Sequence, residues 1–349
     1  MRRLNKKVWR DIWFNKSQFV NIFIMVFLGV FVFSGIHAYM DGMKFSSEKY
    51  YDENNLQDLW LAGENFTKED LKNIKNIDNI KNAERAFSIR TELQDYQDVV
   101  LETNFLESND ISRMEIIDGE TFSQIKTGLW LDNYLAKSLN LKVGDELTLK
   151  YKGYEIKEKI NGLVESPDHV YFIKDETAIF PTHTDFGYCY LSINEFPKEY
   201  IYDNIKSDII KQNPMAEKLF ENSADTKEAI IKDLIPDFKI EDYYVFNEAF
   251  VDVDNTEKIQ ETKSNIENNI ESAIAVTDRE SNVSYKGYNS EIEEGQTYSK
   301  VFTFLFLFIA LLSVVTTMNR FVKKQRTQIG TMKALGIKKR KITKHYIKF

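Results

Sequence analysis

The sequence predicts an α+β domain inserted between two transmembrane α-helices. Three observations predict it. Two long apolar runs carry no charge, their outer flanks are basic while the middle is acidic, and the stretch between them mixes strand-like with helix-like apolar patterns.

The first run, 17–40, includes FVNIFIMVFLGVFVFSGIHAYM, broken only by Asn21, Ser34 and His37. The second, 301–319, reads VFTFLFLFIALLSVVTTMN. A bilayer core about 30 Å thick needs roughly 20 mostly apolar helical residues, and both runs suffice. Each is apolar all round, without the polar stripe a solvated helix shows, so a pair of buried core helices is the weaker alternative. A cleaved signal peptide fits the first run poorly, because the run exceeds an ordinary h-region and no small-x-small cleavage site follows.

Charge sets the expected orientation. Residues 1–16 hold six Lys/Arg against Asp11 alone, and residues 320–349 hold eleven with no acid. Of the 46 basic and 54 acidic residues in the 349-residue chain, 29 and 53 fall between these flanks. Basic flanks stay in the cytoplasm, which places both termini inside and residues 41–299 outside. A middle segment this acidic argues against nucleic-acid binding there. Cys189 is the only cysteine, so no intrachain disulfide forms and the exported part relies on its core.

Along the chain, residues 1–16 predict a cytoplasmic amphipathic helix with Val8, Trp9, Ile12 and Trp13 on one face, anchored at the inner leaflet. The first span, 17–40, continues into SSEKYYDENN as a helical extension or linker. Residues 41–289 form the exported α+β domain. DLWLAG (58–63) is a strand. TKED (67–70) is a capping-box pattern, with Leu71, Ile74 and Ile77 on one helix face. AERAFSIRTEL and DVVLETNF are strands. In 128–164, Leu131, Leu135 and Leu139 predict a helix, VGDE a turn, and Leu147/Leu149/Tyr151 with Tyr154/Ile156/Ile160 a hairpin. Glu158 falls on the apolar face, which suggests a nearby sheet edge. Further strands are expected at 170–180, 186–193 and in YYVFNEAFVD. Helices are expected across 198–240 and 256–272. A stalk helix from about residue 290 enters the second span (290–319 in all), and 320–349 is a cytoplasmic coupling segment.

Candidate chemistry is sparse. None of the fourteen glycines precedes a lysine, so a Walker A loop is absent and any ATP is bound by another chain. Asp168, His169, His183, Asp185 and Cys189 lie close in sequence, but their spacing fits no compact zinc pattern. Glu293–Glu294 reads as a solvated acid pair, and His37, near the outer end of its span, as an interfacial residue. No catalytic residue, metal or cofactor is expected in this chain.

The segment RTQIGTMKALGIKKRK (326–341) has three readings. It is a basic tail that enforces topology, a partial helix-turn-helix with Gly336 in the turn and Ile342 six residues on, or a docking segment. The third reading comes with a resemblance. Arg326, Gln328, Ile329, Gly330, Lys333, Ala334, Leu335 and Gly336 resemble the R-x-E/Q-I-G-x-x-K/R-A-L-G signature of the FtsX/MacB-type ABC transporter permeases. LAKSLNLKVGDELTL (135–149) resembles part of the MacB-type extracellular core domain. Gln328 stands where the family more often has an acid.

The resemblance implies a permease subunit in a bacterial cell membrane that transmits the work of a separate ABC ATPase to an extracellular domain, for export or extraction of an envelope substrate. It implies partners as well: that ATPase, a second permease copy or half, membrane lipids and the envelope substrate. It also implies that residues 326–337, Ile337 included, contact the ATPase, and that two further spans follow in a longer protein. Two glycines permit close approach, Met332, Leu335 and Ile337 offer apolar area, and the lysines and arginines suit an acidic partner. On this reading Gly336→Trp blocks co-purification with the ATPase. The rivals are a two-span sensor, which would need a heptad signalling helix that Gly330 and Gly336 would break, and an anchored envelope enzyme, for which no triad or metal motif is present.

Overall fold

The structure, a computed structural model, describes residues 13, 14, 16–171, 183–222 and 225–346. Most of the amphipathic helix expected at 1–16, and 172–180 of the strand expected at 170–180, lie outside the described residues. The chain divides into two units: Ser47–Tyr288, and Met1–Ser46 with Asn289–Phe349.

In the second of these the apolar runs are helices. Helix α1 (Lys16–Glu53) continues well past residue 40, so the polar stretch extends the helix instead of forming a linker. The long helix that carries the second run begins at Val283, earlier than the stalk expected from about residue 290, and ends at Lys324. In each helix only 6% of the most apolar 18-residue window is buried. That excludes the buried-core alternative, because a core helix hides its apolar side chains.

The Ser47–Tyr288 unit is a ten-stranded mixed sheet with helices, the α+β class expected. Its elements are β1 (Leu59–Gly63), α2 (Lys68–Lys75), β2 (Ile80–Leu93), β3 (Val100–Leu106), β4 (Glu115–Gly119), β5 (Leu129–Asp132), α3 (Asn133–Leu139), β6 (Glu146–Tyr151), β7 (Tyr154–Glu165), β8 (Phe186–Ser192), α4 (Lys198–Gln212), α5 (Glu217–Asn222), α6 (Lys227–Leu234), β9 (Glu248–Val253), α7 (Ile259–Asn269) and β10 (Ala273–Asp278). The strand order is β10-β1-β9-β2-β3-β8-β5-β7-β4, with β6 joining β2 and β7. Two pairs, β3–β8 and β5–β7, are parallel and the rest antiparallel.

Strand β8 explains the layering. All seven of its residues are buried. Cys189 and Leu191 enter the main core with Leu101, Phe105 and Ile201, whereas Phe186, Tyr188 and Tyr190 enter a smaller core on the opposite face with Trp130 and Val164. A strand buried on both faces loses the polar/apolar alternation of a half-solvated one.

Local signals act where expected. Thr67 and Asp70 cap α2 reciprocally, an arrangement worth about 1 kcal/mol. At the VGDE turn Gly144 sits at φ +100°, a region that costs a Cβ-bearing residue energy, and the Asp145 carboxylate accepts from Lys142 N–H. One reading is corrected. Leu131 does not begin a helix: it lies in β5, and Asp132 caps α3 one residue later by accepting from Tyr134 N–H. The spacing misled because 131, 135 and 139 share helical periodicity while the Asp cap breaks the chain between them. Glu158 sits opposite Leu147 on β6, and the partner on the strand's other side, β5, begins only at Ile160. This is the nearby edge that the imperfect apolar face suggested.

Candidate functional site

The segment after the second long helix, α8 (Val283–Lys324), folds into two short helices, α9 (Arg326–Ala334) and α10 (Lys339–Tyr346). Their junction follows from Gly336, held at φ +78°. Ile337 N–H donates to Met332 C=O and Gly336 N–H to Lys333 C=O, the paired bonds of a Schellman helix end. The same turn brings Met332 and Ile337 together. They pack with Ile329 and Met318 on a small core of Phe321, Ile342 and Tyr346, with the Phe321 and Tyr346 rings 6.0 Å apart in a T-shaped contact.

This packing sorts the predicted contact residues. Ile329 and Ile337 are half-buried within the helix pair, as is Met332. Arg326, Gln328, Gly330, Lys333, Ala334, Leu335 and Gly336 are exposed. Leu335, 76% exposed, is a large apolar side chain displayed at the turn. Arg326, Gly330 and Lys333 recur at helical spacing on α9, and nothing lies within 4 Å of a Cβ built on Gly330 or Gly336. The surface is therefore open, apolar at one point and cationic around it, and 320–349 contains no acid to neutralise it. Such a surface favours an acidic partner. The two short helices, joined at Gly336, are seated on the end of α8.

The cluster 168–189 does not converge. Asp168 accepts from Gln57 Nε2 (2.8 Å) and Trp60 Nε1 (2.9 Å). His169 Nε2 lies 3.6 Å from Glu102, His183 Nδ1 lies 4.0 Å from Asp132 Oδ2, and Cys189 contacts Thr103. Among the described residues, no group of three His, Cys, Asp or Glu side chains could hold a metal.

Asp168 and His169 of that cluster instead meet two acids, Glu102 and Glu248, that no local pattern in the sequence singles out. Glu102 from β3, Glu248 from β9, Asp168 and His169 line a recess of about 30 Å³, with Asn104, Glu84 and Tyr190 beside them. That is room for about one water. Burial and mutual repulsion raise Glu248 to about 8, burial and the Asp168 charge raise Glu102 to about 7, and burial raises Asp168 to about 6. Burial pulls His169 down to about 3 and keeps it neutral. These groups lie on elements far apart in the chain, so only the sheet order joins them.

Comparison with known proteins adds the following. No curated protein matches the chain. Among solved structures, the extracellular domain of the noncanonic ABC-type transporter YknZ from Gram-positive bacteria is 12% identical with a TM-score of 0.34, over 64% of this chain and 98% of that one. The periplasmic region of MacB from Actinobacillus actinomycetemcomitans is 9% identical with a TM-score of 0.33, over 69% and 94%. Residues 300–349, from the apolar part of α8 onward, match the family model described as FtsX-like permease C-terminal, in agreement with the resemblance carried by 326–336.

Proposed function

We propose that the chain is a permease subunit of an ABC transporter of the mechanotransmission type. Residues 1–16 and 320–349 lie in the cytoplasm, 17–40 and 290–319 hold the spans and stalk, and 41–289 form the extracellular domain. The α9–α10 surface docks on a separate ATPase, and closure of that motor moves the extracellular domain on an envelope substrate. The observation that carries this reading is the open cationic face of α9–α10, with Leu335 at its turn, inside the segment that matches the FtsX-like family. In support, α8 runs unbroken for 42 residues, as a lever requires, and none of the glycines forms a nucleotide loop in this chain.

The test is co-purification of the tagged chain with an ABC ATPase, recognised by its own Walker A loop. Leu335→Asp places a charge at the exposed apolar point, and Gly330→Trp places bulk in open space at an ordinary helical position. Each is expected to weaken capture at least about fivefold, since truncating a central contact residue typically costs more than about 1 kcal/mol, and to leave the chain folded. Gly336→Trp is a poorer probe, because φ +78° strains any side chain there. Undiminished capture by both Leu335→Asp and Gly330→Trp would contradict the docking assignment.

A further inference from the structure

The two long helices approach closely at one level. A Cβ on Gly29 of α1 would lie 3.0 Å from the Phe306 Cβ of α8, and Gly29 and Ala310 are buried. From this contact toward the basic end of α8 a groove opens between them. Met25 and Leu28 form one wall, Ile309 and Leu312 the other, and its end is polar, with Asn21, Thr317 and Arg320.

Length and charge say what fits. From Ile309 to Arg320 a helix rises about 16 Å, roughly half of the ~30 Å hydrocarbon core. The groove is therefore one leaflet deep. A further transmembrane helix would need a seat running through both leaflets, and this one closes at Gly29. Among the described residues, the side chains of Asn21, Thr317 and Arg320 make no hydrogen bond or ion pair; for Asn21 and Thr317, inside the spans, this is costly, and Arg320 stands at the cytoplasmic boundary. No acid occurs in 17–40 or in 295–349 to neutralise Arg320. The missing partner is an anion with oxygen acceptors, carrying an apolar tail about one leaflet long.

We propose that this groove is a binding site for one anionic phospholipid. Its phosphate pairs with Arg320, Asn21 and Thr317 donate to headgroup oxygens, and one acyl chain lies along the apolar walls. The site rests on the two helices being membrane spans.

The full chain, purified into nanodiscs of phosphatidylglycerol and phosphatidylcholine, tests it by native mass spectrometry of retained lipid. One phosphatidylglycerol per chain is expected to survive delipidation in preference to phosphatidylcholine. Arg320→Gln is expected to weaken its retention about fivefold, the effect of one interfacial cation. Met25→Trp, which fills the groove, abolishes retention. Lys344→Gln, the same charge change outside the groove, does not alter it, and inorganic phosphate does not displace the lipid. Equal retention of the two lipids, unchanged retention in both Arg320→Gln and Met25→Trp, or displacement by phosphate alone would overturn the site. Release of the chain from membranes by alkaline carbonate would overturn the membrane reading along with it, and so separates the two failures.

Discussion

Glu248 is the residue whose protonation most directly affects the fold. In the unfolded chain its carboxyl releases its proton near 4.5, whereas burial in the folded unit holds the proton up to about 8. An acid raised in this way penalises the folded state as pH climbs from the lower value to the higher. His169, depressed to about 3, acts in the opposite sense, because its stabilisation is complete above about 6.5 and is lost as pH falls toward 3. Between pH 7 and 8.5 the histidine contributes no slope, and the falling stability is chiefly that of Glu248, with a smaller share from Glu102 at about 7. One proton held only by the folded state corresponds to about 1.4 kcal/mol per pH unit at most, and the partly exposed rim of the recess reduces this to about 1 kcal/mol. Thermal melts are expected to show a lower Tm at pH 8.5 than at pH 7, with Glu248→Gln removing most of the difference. An unchanged slope in that variant would show that the recess does not hold its proton.

Among the elements, the β5–β7 pair is tightly constrained by packing. Trp130 is wholly buried, donates from Nε1 to Glu120 C=O at 2.7 Å, and meets Phe122 edge-on at 4.9 Å. Opposite it, a Cβ on Gly162 would lie 2.6 Å from Trp130 Cδ1. Trp130→Ala is expected to cost about 3–5 kcal/mol. Gly162→Ala, which overpacks the same point, is expected to cost about 1–3 kcal/mol, as read by denaturant midpoints, and a neutral result at Gly162 would mean that the strands give way freely. The sequence showed much at this scale. The capping box of α2, the Gly144 turn and the β6–β7 hairpin all rest on contacts within a few residues, which local chemistry determines. It did not show β4 or β10, short strands whose partners, β7 and β1, lie far along the chain. It misplaced the start of α3, because Leu131 serves a strand at the same spacing that serves a helix. In residues 326–337 the family-like signature was legible, but the inward packing of Ile329 and Ile337 was not, since it depends on Phe321, Ile342 and Tyr346 arriving from α8 and α10. The acidic recess was invisible for the same reason, being made by sheet order.

For the whole molecule, the reading is a membrane-bound subunit whose acidic middle and basic ends lie on opposite sides of the bilayer. The charge asymmetry that implies this is large, 53 acids against 29 bases in the middle and no acid at all in 320–349, and basic flanks are what bilayer insertion retains. Two helices long and apolar enough to cross a membrane separate these regions. The segment at 300–349 adds the FtsX-like match, and under the proposed orientation its α9–α10 surface is available to a cytoplasmic motor. The most direct measurement is thiol labelling of intact cells with a membrane-impermeant reagent. Met215→Cys and Leu335→Cys serve as single reporters, 78% and 76% exposed in the parent residues, over a native Cys189 that is buried and silent. The account predicts that position 215 labels in intact cells and position 335 labels only after the membrane is opened. Labelling of position 335 in intact cells, or protection of position 215 until lysis, would contradict it.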